Sequence, residues 1–374
     1  MRGLKQHFPN ISRSRLKERI LIQYRGANKD IGPKTFLIWL LVDSEDSLCY
    51  PVVYSIRKWL STTGPGQNRL THSNLESLLK PHKGDHMLLQ VIFSGLATGS
   101  IYALVALGLA LIYNTTEHVN FAQGEMSMVS AFVGFTFFSM LGLSLWIAIL
   151  LTLLISALLG IITERLVIRP AMRAPHFNIF IITLGVSIVM KSLSGFIWSH
   201  NDYPYPSVFP DETITIGGAT FDLIGLGNIG ATILLMVILY TFFMYTRYGT
   251  AMRAVSESQN AALLMGVNVK QSFAVTWAIS FLVAAVAGIL MAPVVFLSTH
   301  MGIVVINGFA AAILGGWGSI PGAIIGGMLL GVIDNVAPLY LPSQIKNVVP
   351  FAVIFIVLVI RPKGIMGVER FTKV

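Results

Sequence analysis

The sequence predicts an all-α, polytopic membrane protein of about eight transmembrane helices, some of them short or broken, behind a poorly ordered N-terminal extension. Three observations predict it. First, 54% of the 374 residues are hydrophobic and only 11% are charged, where soluble domains carry about 25% charged residues; so few charges cannot coat a soluble protein of this size. Second, 21 of the 43 charged residues fall within the first 86 positions. Third, from Leu88 onward apolar runs alternate with short polar breaks. A single cysteine, Cys49, excludes an intrachain disulfide and a multi-cysteine metal site.

Residues 1–86 hold 14 Lys and Arg against 7 Asp and Glu, and residues 87–374 hold 12 against 10. The formal charge of +9 therefore belongs mostly to the leader and is no argument for nucleic-acid binding. The leader opens with a basic run, Arg13 to Arg25, and its one apolar patch is Phe36–Val42. Seven residues cannot cross a bilayer core of roughly 30 Å, which takes about 20. Ser61–Asn68 reads as a linker. The leader is expected to be a disordered or membrane-surface arm, or an extension upstream of a true start at Met87. The chain is thus expected to divide into a basic extension, 1–86, and a transmembrane domain, 87–374.

The first span is expected near 88–112. Residues 126–162 carry no charge, and Gly142 with Ser144 marks a turn, giving a hairpin of two spans. Further spans fall near 178–198, 228–246, 272–297, 303–316, 320–337 and 347–360, with 303–316 and 347–360 short. Excess Lys and Arg marks cytoplasmic loops. Loop 163–177 has Arg165, Arg169 and Arg173, segment 247–271 has Arg247, Arg253 and Lys270, and the tail has Arg361, Lys363, Arg370 and Lys373. Loop 199–227 has four acids and no Lys or Arg. Alternation then places 163–177, 247–271 and the C-terminus inside, and 199–227 outside. Asp334 is expected at the outer end of its span, facing water, and Lys191 is expected to turn outward along its span.

Small residues form ladders. Gly318, Gly322 and Gly326 are four apart, as are Gly327 and Gly331, and Gly95, Gly99 and Ala103 repeat the device in the first span. On a helix this spacing lets another backbone approach closely. Ser319 before Ile320-Pro321 suits a helix start, so a short span is expected to break at Gly315–Gly318. Irregular backbone at membrane depth survives in protein or beside a water-filled cavity, which makes Gly318, Gly322 and Gly326 candidates for lining a path. Asn120 can cap the next helix, with Gln123 completing a capping box. Glu125 is the one acid at the mouth of the uncharged stretch, and an acid near membrane depth is a functional candidate. Asn120, Gln123 and Glu125 therefore join the pathway candidates.

Two motifs mislead. Gly225–Gly230 matches G-x-G-x-x-G, but a dinucleotide site needs an amphipathic crossover helix and an acid about 20 residues on; here an uncharged apolar run follows. The eight histidines show no ligand spacing. No metal site, no catalytic residue and no cofactor is expected. The chain has no Gly-Lys dipeptide and so no P-loop, and any ATP hydrolysis must belong to another chain. In 247–271, Ala251, Ala254, Val255, Ala261, Ala262, Leu264 and Met265 give helical stripes, and Gly266 can end the second helix in a left-handed cap. Such a segment is placed to seat in a groove of a soluble partner, with Arg253 and Glu257 pairing with each other or with that partner.

From Met87 the sequence resembles the membrane permease of bacterial branched-chain amino-acid ABC importers, in its shorter leucine/isoleucine/valine type. The matching pieces are Val119–Glu125, Glu164–Pro170, Arg253–Glu257 with Leu264–Val267, Phe309–Gly322 and Arg361–Gly364. The resemblance implies a permease in the bacterial inner membrane that pairs with a second permease, two cytoplasmic ATP-binding subunits and a periplasmic solute-binding protein. It implies that 251–266 is the ATPase-coupling segment, with Arg253, Glu257, Ala261, Ala262, Leu264 and Gly266 as its residues, and that the outer loops meet the binding protein. Gln123, Asn260 and Asn307 depart from the family pattern, which often has His, Glu and Lys there. Urea-type and other amide or amino-acid permeases share these motifs, so that substrate class stays open. A stand-alone secondary transporter is the rival reading, and it would call for inverted repeats with paired intramembrane ligands.

Overall fold

The structure, a computed structural model, describes residues 84–172, 176–216, 219–342 and 347–367, all within one compact unit, His82–Val374. The leader up to residue 83, Arg173 and the basic tail beyond residue 367 lie outside the described residues. The chain runs through α1 (Gly84–Thr116), α2 (Gln123–Phe135), α3 (Leu145–Thr163), α4 (His176–Trp198), a small hairpin of β1 (Thr213–Ile216) and β2 (Ala219–Asp222), α5 (Leu223–Tyr245), α6 (Arg247–Glu257), α7 (Gln259–Leu264), α8 (Val269–Val295), α9 (Val304–Gly315), α10 (Ile320–Tyr340) and α11 (Val349–Ile360). Among the described residues, six helices are long and apolar enough to cross a membrane: α1, α3, α4, α5, α8 and α10. α9 and α11 are shorter apolar helices. The fold is the expected all-α, polytopic one.

α1, α8 and α10 form the centre. Their middle residues, from Ala103 to Ala106, from Val283 to Ala285, and Ala323 and Leu330, are shielded almost completely. By contrast α3, α4, α5 and α11 carry long exposed apolar side chains, among them Leu154, Phe196, Leu234 and Phe355. A helix apolar all round is at home in lipid or against other helices, and these faces form the belt.

The ladders explain the centre. Gly95, Gly99 and Ala103 of α1 pack directly on Gly327, Gly331 and Val332 of α10. A Cβ added at Gly99 would lie 2.8 Å from the Gly327 carbonyl oxygen, and one added at Gly331 would overlap the Gly99 backbone. The other ladder faces elsewhere: Gly322 and Gly326 pack on Gly315 and Ala311 of α9. One glycine-rich helix thus holds two neighbours at backbone distance. The break between α9 and α10 falls at Gly316 (φ 111°) and Gly318 (φ 83°), backbone conformations that side chains disfavour. Ser319 then caps α10, its hydroxyl accepting from the Gly322 N–H at 3.1 Å. The turn at Arg361–Gly364 seals the break. It brings the backbone N–H groups of Ile365 and Met366 onto the carbonyls of Leu314 and Gly315 at 3.0 and 2.8 Å, answering groups that the end of α9 leaves open.

α3 does not stop at Thr163. It continues through a π-helical turn, Glu164–Ile168, into a last turn at Arg169–Ala171. The wider turn brings residues five apart onto one face. Arg169 accordingly grips Glu164 with two bonds, of 2.9 and 2.7 Å, and its guanidinium also reaches the Lys270 carbonyl at 3.3 Å. One motif residue pair therefore ties the end of α3 to the start of α8.

At the other end, the loop after α4 folds back. Tyr203 exchanges backbone hydrogen bonds with Leu297 beyond α8, at 2.9 Å each way. Tyr205 is buried against Gly134 of α2, and burial pushes its phenol up to about 12, so it stays protonated. Gly225–Gly230 lies within α5, a helix capped by Asp222, and is no nucleotide loop.

Candidate functional site

α2 begins inside the protein, not at its surface. Gln123 lies beside Gly108 of α1, where any Cβ would overlap the Gln123 amide. It also meets Ser280, the twelfth residue of the 27-residue α8. The Ser280 hydroxyl interacts with the Gln123 Oε1 and the Gly108 carbonyl, each at 3.0 Å, and the Gln123 amide donates to the Ser280 carbonyl at 3.3 Å. Asn120 donates to the Gln123 Oε1 at 3.3 Å. Both residues are fully buried. The expected capping box is replaced by another arrangement. The Asn120 Oδ1 accepts from the Ala122 N–H at 3.1 Å, while Gln123 turns away from the backbone and joins three elements. With α2 starting at mid-depth, a polar node there is more useful than a local cap, because those polar groups have no water to turn to.

Glu125, two residues on, backs onto Gly302 in the short turn Met301–Ile303. Ser187 and Lys191 of α4 lie near it, and Lys191 is half-buried. The Glu125 Oε2 is buried without a hydrogen-bond partner.

On the other side of the Met301–Ile303 turn is a cavity of about 380 Å³, within the range of small-molecule sites. α1 contributes Thr98, Ile101 and Tyr102. The start of α5 contributes Asn228, the end of α8 Met291, Val294 and Val295, and α9 Val304 and Asn307. Asp222 and His300 stand at its exposed rim. Most of the lining is apolar. Behind it, the Tyr102 hydroxyl donates to the Asp334 Oδ2 at 2.9 Å, and the Asn307 side chain interacts with the same hydroxyl. Asp334 is only 3% exposed, which corrects the expectation that it faces water. Tyr102 reaches it from 232 positions away, and no local pattern carries that pairing.

Farther along α9 the space closes. Phe309 and Trp317 pack edge to face at 4.9 Å, Trp317 meets Tyr113 at 5.1 Å, and Phe121 bridges Phe309 and Phe180. Gly318 lies beside Asn114 and Tyr113 in this closed region. Gly318, Gly322 and Gly326 do not line the cavity, and neither do Asn120, Gln123 and Glu125. Sequence reasoning missed Tyr102, Asn228 and the role of Asp334. Of these, Asp334 alone was visible, as an acid within an apolar run.

The segment after α5 is two short helices. Thr246 caps α6, and Ser258 ends it and caps α7 by accepting from the Ala261 N–H at 3.3 Å. Gly266 (φ 81°) stops α7 in the left-handed form, as expected. Met252, Val255 and Ala262 are buried against the body, while Leu264 and Met265 are 89% and 85% exposed. Ala261, Arg253 and Glu257 are also exposed. Arg253 and Glu257 form no ion pair; Arg253 instead reaches Met244 and Thr250 at 3.5 Å. α5 and α8 connect the two sites, since each has one end at the cavity and the other at this segment.

A bundle of membrane-length helices around an internal cavity, with irregular helices at mid-depth, is the build of a multi-pass transport protein. The chain belongs to the family described as branched-chain amino acid transport system / permease component, whose model matches residues 91–358. It is 33% identical over 301 residues to the high-affinity branched-chain amino acid transport system permease protein LivH of Salmonella typhimurium, covering 76% of this chain and 97% of that protein. It is 31% identical to the corresponding BraD of Pseudomonas aeruginosa over 76% and 98%. A more distant relative is the autoinducer 2 import system permease protein LsrD of Escherichia coli, at 27% identity over 58% of this chain and 68% of that protein.

Proposed function

We propose that the chain is the permease of an ATP-driven importer of branched-chain, hydrophobic amino acids, working by alternating access with separate ATPase chains. The observation that carries this reading is the pairing of an apolar cavity with an exposed helical segment at opposite ends of α5 and α8. In this reading 163–177, 247–271 and the C-terminus face the cytoplasm and 199–227 faces the periplasm of the bacterial inner membrane. A solute-binding protein delivers substrate at the rim formed by Asp222 and His300. Two ATP-binding subunits receive Leu264 and Met265 in a groove, with Arg253, Glu257 and Ala261 around them and with Ala262 and Gly266 fixing the helix. A second permease covers part of the belt.

ATP-driven closure then moves α6 and α7, and α5 and α8 transmit the movement. The rings around Trp317 separate, and substrate passes from the cavity toward the node of Asn120, Gln123 and Glu125. Gly318, Gly322 and Gly326 contribute as the close packing about which α9 and α10 shift. Exchange of Gly266 for alanine strains a left-handed residue by about 1–2 kcal/mol and tilts the segment. Gly266→Ala and Glu257→Gln are expected to lower uptake per ATP hydrolysed in vesicles carrying the whole transporter, while the ATPase rate persists. Unchanged coupling in both variants contradicts the role.

A second reading, import of urea or another amide, is favoured by Asn228 and Asn307 in the lining. Competition of urea against leucine for uptake separates the two. The apolar lining from Ile101, Met291, Val294, Val295 and Val304 supports leucine.

A further inference from the structure

The cavity has one feature that an apolar side chain does not use. Asp334 is a carboxylate shielded on α10, six residues before the end of that helix, with a Tyr102 hydrogen bond as its side-chain partner. Isolating such a group from water is costly unless it is compensated. The salt bridge of Arg169 with Glu164 lies at the opposite end of the helices. Among the described residues, no Lys or Arg lines the cavity.

The direction of the Tyr102 bond matters. The hydroxyl gives its proton to Asp334, and its oxygen accepts from the Asn307 side chain while keeping a further lone pair for another donor. Tyr102 itself lines the cavity, as does Asn307, whose side chain interacts with the same oxygen. The floor therefore offers acceptors in front of a negative charge, at one edge of a wall made mainly of Ile101, Met291, Val294, Val295 and Val304. A small cation with a bulky apolar tail matches both halves. We infer that Tyr102 binds the α-ammonium group of the substrate at the floor of the cavity, and that Asp334 is the positioning residue that orients the hydroxyl and supplies the opposing charge. This deepens the proposed function and rests on the cavity being the substrate site.

The test uses the full chain purified in lipid nanodiscs and three probes that differ in one group. Leucine has both charged groups, leucinol keeps the ammonium and lacks the carboxylate, and 4-methylpentanoate keeps the carboxylate and lacks the ammonium. Binding is read by competition against labelled leucine. The expected result is that leucinol competes and that 4-methylpentanoate is about tenfold weaker than leucine or worse, the scale of a lost charge-assisted hydrogen bond. Tyr102→Phe and Asp334→Asn are expected to weaken leucine to a similar degree and to erase its preference over 4-methylpentanoate. Leucine and 4-methylpentanoate binding equally to the unaltered chain overturns the inference without any variant having to fold. Variants that keep the preference overturn it as well. If the unaltered chain binds none of the probes, the cavity is not the substrate site, and the proposed function fails at that point together with this inference.

Discussion

Glu164 shows how much a single side chain can hold. It is fully buried, and its partner Arg169 is 34% exposed, so the pair lies between a surface contact and a sealed one. Removing the charge from one partner of a buried pair costs several kcal/mol, and partial exposure reduces that. Glu164→Gln is expected to lower stability by about 1–3 kcal/mol, and to loosen α3 from α8 because the Arg169 bond to Lys270 loses its anchor. Thermal unfolding of the purified chain measures the first effect, and hydrogen exchange at Lys270 and Gln271 the second. An unchanged melting temperature contradicts the account. The motif Glu164–Pro170 was legible as a piece of sequence, but its spacing of five has no meaning until the π-helical turn is seen. Asp334 is the opposite case. As an acid near the end of an apolar run it reads as exposed, and only a tyrosine from α1 makes it internal. Gln123 likewise had a good local partner in Asn120 and found a better one in Ser280.

Among the elements, the helices themselves were largely legible, because length and apolar content set them. The ladders were also visible, as spacings of four. What no spacing could show is which ladder meets which. Gly327 and Gly331 meet α1, and Gly322 and Gly326 meet α9. Both sets lie on one helix, on faces about 140° apart, and either face could have taken either partner. The consequence is testable. A methyl at Gly331 overlaps the α1 backbone and cannot be relieved by a rotamer change. Gly331→Ala is expected to destabilise the protein by about 1–3 kcal/mol through overpacking, whereas Gly230→Ala, with open space around it, is expected to leave the melting temperature nearly unchanged. Equal effects at the two sites contradict the backbone contact. The segment 247–271 shows a related limit. Its stripes read as two helices, which Ser258 divides into α6 and α7, but they do not show that Met252, Val255 and Ala262 are buried while Leu264 and Met265 stay exposed.

At the scale of the molecule, composition alone implied a membrane protein, and the acidic and basic loops implied a sidedness. The cavity was not legible. Its lining draws on α1, α5, α8 and α9, whose contributing residues are separated by as many as 213 positions, from Ser94 to Asn307, and carry no common pattern. The parts have a consistent logic once assembled. The helices that line the cavity are those whose far ends reach α6 and α7 or the sealed break at Gly316. In the proposed mechanism these packed helices are what carry a movement at one end to the other. The most direct test is leucine uptake into proteoliposomes that hold this chain with the second permease, ATP-binding subunits and solute-binding protein of the proposed importer. The account predicts uptake that requires ATP on the side of the ATP-binding subunits and vanishes when they are omitted. Leucine accumulation by this chain alone, driven by an ion gradient without ATP, contradicts it.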